Sequence, residues 1–261
     1  MHFVLSFFSG VEREQPVIVP LPLKIGLYAL WICVMVFIFL SRDRLSKLKN
    51  PERIAKAMGA ILLIDQVVLY SWQFFSGYFN IEQSLPLFHC RIAVPLLILD
   101  LVFGVKVLRS IWIYWATLGT TFAMAFIDLY RFDFPHYTNF QFFIVHIMLG
   151  WIVCYVVFVL DYQFEKKGLK LALIVTFVYN IFLILFNAAF NGTFIAHADL
   201  KFNYGYLLFP PGSLQDFVLT LPPFLYYAVM LIGYELLILL LYSVGRFLNK
   251  VSAKNECTHR T

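Results

Sequence analysis

Long apolar runs separated by short polar segments make up most of this chain. A run of about 18 or more mainly apolar residues is long enough to cross a bilayer as a helix. Seven such runs occur, at Leu21–Ser41, Ile54–Gly77, Leu87–Leu108, Ile111–Leu129, Thr138–Leu160, Lys170–Asn191 and Phe217–Phe247. The pattern predicts an all-α fold, a polytopic membrane helix bundle with seven transmembrane helices.

The composition agrees with a membrane environment. The 261 residues are 61% hydrophobic and 13% charged, which is more apolar surface than a soluble domain of this length could cover. The stretches between the runs are too short for a further domain. We therefore predict a single integral membrane domain over residues 1–261, with a short outer segment at 1–20 and a cytoplasmic tail at 248–261.

The basic residues predict how the chain is oriented. Most of the 20 Lys and Arg lie in the tail and in the connections on one side of the predicted membrane. Because basic residues accumulate on the cytoplasmic side, we expect the amino terminus outside and the carboxyl terminus in the cytoplasm. The net charge of +5 follows from this topology and gives no reason to expect nucleic acid as a partner.

Cys90 is the cysteine whose position suggests chemistry. The four cysteines have no CxxC spacing, so neither a disulfide framework nor a metal site is predicted. Ser84 and Pro86 are typical of a helix start and place Cys90 in the second turn, where the helix dipole favours a thiolate. His89 and Arg91 would flank it, with Arg91 near the depth of lipid headgroups.

His146 is the second candidate. Asn139, Phe142, His146 and Gly150 fall on one stripe of the fifth predicted helix. Counted from the two predicted helix starts, Cys90 and His146 differ in depth by about 6 Å at 1.5 Å per residue. A tilted or kinked helix would bring them together.

Further polar positions predict a cavity near the outer side. Asn180, Asn187 and Asn191 share a stripe of the sixth predicted helix, and Asp65 and Gln73 lie on the second. The aromatic segment 192–216, which contains Asn203, is long enough to fold over such a cavity as a lid.

Three hypotheses remain open from the residues alone. The first is an enzyme with Cys90 as nucleophile and His146 as base. The second is a transporter or small-molecule receptor, with an outward cavity lined by Asp65, Gln73, His146 and the asparagines. The third is a structural partner of other membrane proteins, because buried cysteines usually serve packing and membrane asparagines usually join helices.

A family resemblance favours the enzyme. The run Leu85–Cys90, the phenylalanine-rich fifth helix with His146 and the Asn203-Tyr204 loop resemble the YwaF family of bacterial integral membrane proteins. That family is related to the eukaryotic transmembrane protein 164 group. The resemblance implies a phospholipid acyltransferase that carries the acyl group on Cys90, assisted by His146. One departure is that the family pattern has a histidine two places before the cysteine, where this chain has Phe88.

The resemblance also implies the partners and the location. The substrate would be a membrane phospholipid or lysophospholipid, with no metal and no cofactor, and the oligomeric state is left open. We expect a multi-pass protein of the bacterial plasma membrane. The candidate substrate-binding residues, which would hold the phosphate or the developing oxyanion or line the site, are Arg91, His89, Asn187, Asn203 and Asn139.

Overall fold

The computed structural model describes residues 6–195, 200–210 and 220–258. Every regular element in those ranges is helical, which confirms the prediction of an all-α fold. Short helical segments occur at Arg42–Ser46, Lys106–Leu108 and Tyr204–Tyr206. The longer helices are α1 (Leu21–Leu40), α2 (Glu52–Phe75), α3 (His89–Leu101), α4 (Arg109–Ala125), α5 (Tyr137–Phe158), α6 (Lys166–Asn191) and α7 (Pro223–Thr258).

The helices support a multi-pass membrane protein. Within the described ranges, α1, α2, α5, α6 and residues Phe224–Lys250 of α7 are long and apolar enough to cross a membrane. Helices α3 and α4 have 13 and 17 residues and are shorter than the bilayer core is thick. The seven-span topology and the orientation of the termini therefore stay predictions. Residues 217–219 of the predicted seventh span, and residues 1–5 and 259–261, lie outside the described residues.

Helix α3 does not begin where the sequence pattern predicts. Ser84 closes a turn with Asn80 instead, because the Asn80 amide donates to Ser84 Oγ at 3.1 Å and the Ser84 amide donates to the Asn80 carbonyl at 2.9 Å. The helix then begins at His89. The prediction that Cys90 lies in the second turn is therefore wrong, and Cys90 is the second residue of α3.

Helices α4 and α5 form the centre of the bundle. Helix α5 packs against α1, α2 and α4, whereas α4 packs against α3, α5 and α6, and α7 lies against α6. Trp112 and Tyr114 of α4 and Leu149 and Ile152 of α5 are almost fully buried. In α1 only Ile38 is buried, as expected of a helix that faces lipid along most of its surface.

Helices α3 and α5 begin at one end of the bundle, which we call the Cys90 end. The amino-terminal segment crosses this end. Trp72 Nε1 donates to the Phe8 carbonyl at 3.1 Å, His136 Nε2 donates to the Ser9 carbonyl at 3.0 Å, and Arg13 pairs with Asp133 at 2.7 Å. The connection between α3 and α4 lies at the opposite end.

Candidate functional site

The Cys90 thiol lies at the amino-terminal end of α3. The first intrahelical bond runs from the Ile92 amide to the Phe88 carbonyl at 2.9 Å, so the amides of the first turn have no intrahelical acceptor. The thiol is half-buried and sits at the positive end of the helix dipole, where a developing negative charge is stabilised.

Helix α4 approaches Cys90 at Gly119. A Cβ atom at position 119 would lie 2.6 Å from Cys90 Cβ and 2.9 Å from Cys90 Cα. No real side chain tolerates such distances, so the glycine is what lets α3 and α4 come this close. Gly119 and Cys90 therefore lie at the same level of the bundle.

His146 is buried in α5 with one ring nitrogen free. Its Nδ1 lies 2.7 Å from the Phe142 carbonyl oxygen, which can only accept, so this geometry assigns the proton to Nδ1. Nε2 is then the nitrogen with a lone pair. That atom is buried and has no hydrogen-bond partner among the described residues. A positioned imidazole with a free lone pair is what a general base needs.

The same stretch of α4 also contacts His146. Thr120, the residue after Gly119, donates its hydroxyl to the His146 carbonyl at 2.6 Å. Because neighbouring helix residues differ in height by about 1.5 Å, the backbones of Cys90 and His146 meet α4 at nearly the same level. The predicted depth difference of about 6 Å is wrong, because α5 begins further out than α3. Cys90 and His146 are not hydrogen-bonded to each other, since Nε2 has no partner.

Arg91 presents a cation beside Cys90. Its Nη2 donates to Tyr130 Oη at 2.6 Å and its Nη1 donates to the Gln83 carbonyl. The guanidinium carbon lies 5.3 Å from the centre of the Phe88 ring. Within the described ranges no carboxylate forms a salt bridge with Arg91. Neutral groups thus fix the guanidinium in place, which leaves its charge available to an anion.

His89 points into the core. Its Nε2 lies 2.8 Å from Asn180 Oδ1 of α6, and its ring stacks on Tyr234 of α7 with the centroids 4.4 Å apart. Its Nδ1 is buried without a partner in the described part of the chain. These contacts tie the first residue of α3 to α6 and α7, and a role for His89 toward substrate stays a prediction.

The three candidate asparagines are bonded to backbone groups. Asn187 pairs with Tyr204, accepting from its amide and donating to its carbonyl, each at 2.9 Å. Asn203 donates to the Phe209 carbonyl at 2.8 Å, and Asn139 donates to the Phe132 carbonyl at 3.3 Å. All three therefore hold loops in place, and their substrate-binding role stays a prediction.

The described part of the predicted lid packs onto the Cys90 end. Residues 196–199 and 211–216 lie outside the described residues. Tyr204 is fully buried, donates to the Ile81 carbonyl at 2.8 Å and accepts from the Leu85 amide at 3.2 Å. A Cβ at Gly205 would lie 3.4 Å from His89 Cε1, so this segment covers the start of α3.

The polar residues of α2 make helix contacts. Asp65 Oδ2 accepts from Gln141 Nε2 of α5 at 3.0 Å and from Gln66 Nε2 at 3.1 Å. Gln73 is buried, with its Nε2 3.5 Å from Tyr130 Oη. A mainly apolar depression of about 450 Å³ lies on the surface of α2, lined by Gln66, Val67, Tyr70, Ser71, Phe74 and Phe75.

Gly119 and Thr120 are the site residues that the sequence analysis missed. They stand in Gly119-Thr120-Thr121, a run of small residues inside an apolar helix. Small residues in membrane helices mark places where two helices approach closely. That signal could have identified α4 as the helix that joins α3 to α5.

Comparison with known proteins gives one match. A family model described as the TMEM164 family matches residues 17–244, which include α1 to α6, most of α7, and both Cys90 and His146. No curated protein and no solved structure matches the chain.

Proposed function

Since this chain belongs to the TMEM164 family, we propose that it is a phospholipid acyltransferase that carries the acyl group as a thioester on Cys90. The observation that carries the proposal is that Cys90 and His146 both contact the same stretch of α4. Gly119 contacts the backbone of the first and Thr120 donates to the carbonyl of the second, which supports a thiol and a free imidazole nitrogen at the same end of the bundle.

The first half-reaction transfers an acyl group to the enzyme. His146 Nε2 takes the proton from the Cys90 thiol, and the thiolate attacks the ester carbonyl carbon of a donor phospholipid. The first-turn amides of α3, which have no intrahelical acceptor, would stabilise the oxyanion that forms. The carbon–oxygen ester bond then breaks, and the departing alkoxide takes the proton from His146 to leave as a lysophospholipid.

The second half-reaction returns the acyl group to a lipid. His146 Nε2 takes the proton from a lysophospholipid hydroxyl, whose oxygen attacks the thioester carbonyl. The carbon–sulfur bond breaks, and the Cys90 thiolate recovers the proton from His146. One base thus serves both halves of the reaction.

Arg91 would bind the lipid phosphate. Its guanidinium has no carboxylate partner in the described ranges and stands next to the nucleophile in the chain. A headgroup held there would bring the adjacent acyl ester toward Cys90. We place this end of the bundle at the outer leaflet of the bacterial plasma membrane, with the amino terminus outside.

The transporter or receptor alternative has less support. Asp65, which it requires in an open cavity, instead accepts hydrogen bonds from Gln141 and Gln66 and joins α2 to α5. The asparagines of α6 are bonded to His89 and to the backbone of the segment that covers α3.

A transfer assay with purified protein tests the proposal. The protein is reconstituted in lipid nanodiscs with a phospholipid that carries a labelled acyl chain, and an unlabelled lysophospholipid is added. Wild type should move the label to the lysophospholipid, and Cys90→Ala should not. Cys154→Ala is the matched control, because that thiol is buried between α1 and α5 and should be dispensable. Transfer by Cys90→Ala at the wild-type rate would refute the proposal.

A further inference from the structure

Two adjacent residues of α4 contact the two candidate catalytic residues, Gly119 against Cys90 and Thr120 against His146. Resting on the proposed function, we propose that Gly119 and Thr120 are positioning residues that set the distance between the Cys90 thiol and the His146 imidazole. Neither residue supplies a reacting atom. Gly119 sets how closely α3 approaches α4, and Thr120 sets where α5 stands against α4.

The Gly119 contact is specific to the backbone of Cys90. A Cβ at position 119 would meet the Cβ, Cα and N atoms of Cys90 at 2.6, 2.9 and 3.0 Å. Two of these are backbone atoms, which cannot rotate away as the end of a flexible side chain can. Alanine at this position must therefore move the start of α3, and with it the thiol and the first-turn amides.

The Thr120 contact is specific to the backbone of His146. The hydroxyl donates to the carbonyl of His146 itself at 2.6 Å. The neighbouring threonines are different, since Thr117 donates to Ile113 and Thr121 donates to Thr117, each within α4. Thr120 alone of the three ties α4 to α5.

Gly119 and Thr120, which are adjacent in the sequence, thus position Cys90 and His146 from the same helix, α4. Proton transfer from the thiol to Nε2 requires the two atoms within hydrogen-bond reach, directly or through one water. A displacement of about 1 Å can reduce a reaction rate about a hundredfold. The rate of thioester formation should therefore depend on these two small residues more than the stability of the bundle does.

The test measures thioester formation in four variants and two controls. Gly119→Ala, Thr120→Val and Thr120→Ser are compared with Gly59→Ala and Thr121→Val. Gly59 is a matched control because a Cβ there would lie 3.5 Å from Leu101 Cβ, an ordinary contact between α2 and α3. Thr121 is matched because it is exposed and bonds only its own helix. The fourth variant, Gly119→Ala with Thr120→Val, tests whether the two contacts act on one geometry.

We expect the maximal rate of thioester formation to fall about a hundredfold in Gly119→Ala. In Thr120→Val it should fall about tenfold, and in Thr120→Ser, which keeps the hydroxyl, it should stay close to wild type. The donor concentration at half-maximal rate should be unchanged in the two Thr120 variants, because Thr120 contacts α5 and leaves Arg91 in α3 undisturbed. Both controls should behave like wild type.

Two outcomes would overturn the inference while the proposed function stands. One is a wild-type maximal rate in Thr120→Val. The other is a loss in Thr120→Val that Thr120→Ser shares, since the hydroxyl would then have no part in it. If Gly119→Ala does not fold, the threonine series decides alone. Absence of a thioester in wild type would overturn both proposals together.

Discussion

Two buried polar clusters lie at opposite ends of α4. In one, the buried carboxylate is fully hydrogen-bonded, whereas in the other, three buried nitrogen atoms have no hydrogen-bond partner among the described residues. At the opposite end, Asp100 accepts from Arg109 Nε at 2.7 Å, from Arg109 Nη2 at 3.0 Å and from Trp112 Nε1 at 2.8 Å. At the Cys90 end, His146 Nε2, His89 Nδ1 and Asn180 Nδ2 are buried without partners among the described residues.

This difference indicates that the first cluster stabilises the fold and that the second is available for chemistry. A buried polar atom without a partner costs about 1 to 3 kcal/mol. Such atoms call for an explanation, and a free base or a ligand-binding group is one. The Asp100 cluster joins α3 to the start of α4 and has no free polar atom on its carboxylate. We therefore expect changes at the Cys90 end to remove activity and changes at the Asp100 end to remove stability.

The largest effect is expected from His146. His146→Ala removes the proposed base, so transfer should fall by about 10² to 10⁴-fold, the range typical of a general base. The melting temperature should change little, because the only side-chain bond lost is the one to Phe142 in the same helix. The measurement is the transfer rate per folded molecule. A rate within about twofold of wild type would remove His146 from the mechanism.

Asp100→Ala should lower the melting temperature and leave the transfer rate nearly unchanged. Removing one partner of a buried ion pair leaves Arg109 and Trp112 unpaired and typically costs about 3 to 5 kcal/mol. We expect a large drop in melting temperature in detergent, with near wild-type transfer per folded molecule. Asp43→Asn is the control, since its pair with Arg42 is exposed and should leave the melting temperature unchanged. An unchanged melting temperature in Asp100→Ala would contradict the stabilising role of the Asp100 cluster.

Arg91→Gln tests whether the Cys90 end also binds the lipid. Loss of a charged hydrogen bond to phosphate should raise the KM for donor phospholipid about tenfold and leave kcat nearly unchanged. Tyr130→Phe is the control, because it removes the 2.6 Å contact to Arg91 but keeps the charge. Equal effects of the two variants would indicate that Arg91 acts only through Tyr130.

The smallest effect is a pH dependence of stability at His136. This residue caps α5, where it accepts from the Thr138 amide, and burial lowers its pKa below the ordinary value of 6.5. As the pH falls below about 6.5, the unfolded chain gains a proton before the folded one does, so stability should decrease. Melting temperatures of wild type and His136→Asn between pH 7.5 and 5.5 measure this. Equal slopes would exclude His136 as a cause.

The helices could be predicted from the sequence, because apolar runs are local signals. Cys90 and His146 could be singled out from the sequence as well, and their roles in the reaction stay a prediction. The start of α3 could not be predicted, since Ser84 serves a turn with Asn80 instead of a helix. The common level of Cys90 and His146 could not either. It depends on how α3 and α5 dock against Gly119 and Thr120, which is set by tertiary packing. Arg109 lies between the third and fourth apolar runs, and nothing local in the sequence indicates that it reaches back to Asp100.

The acyl-thioester on Cys90 is tested by the intact mass of the protein after incubation with phospholipid, before and after neutral hydroxylamine. We expect an increment of one fatty-acyl group that hydroxylamine removes. The increment should be present in wild type, Cys33→Ala and Cys154→Ala, and absent in Cys90→Ala. An increment that persists in Cys90→Ala would contradict a thioester on Cys90. The absence of any increment in folded wild type with lipid present would contradict it as well.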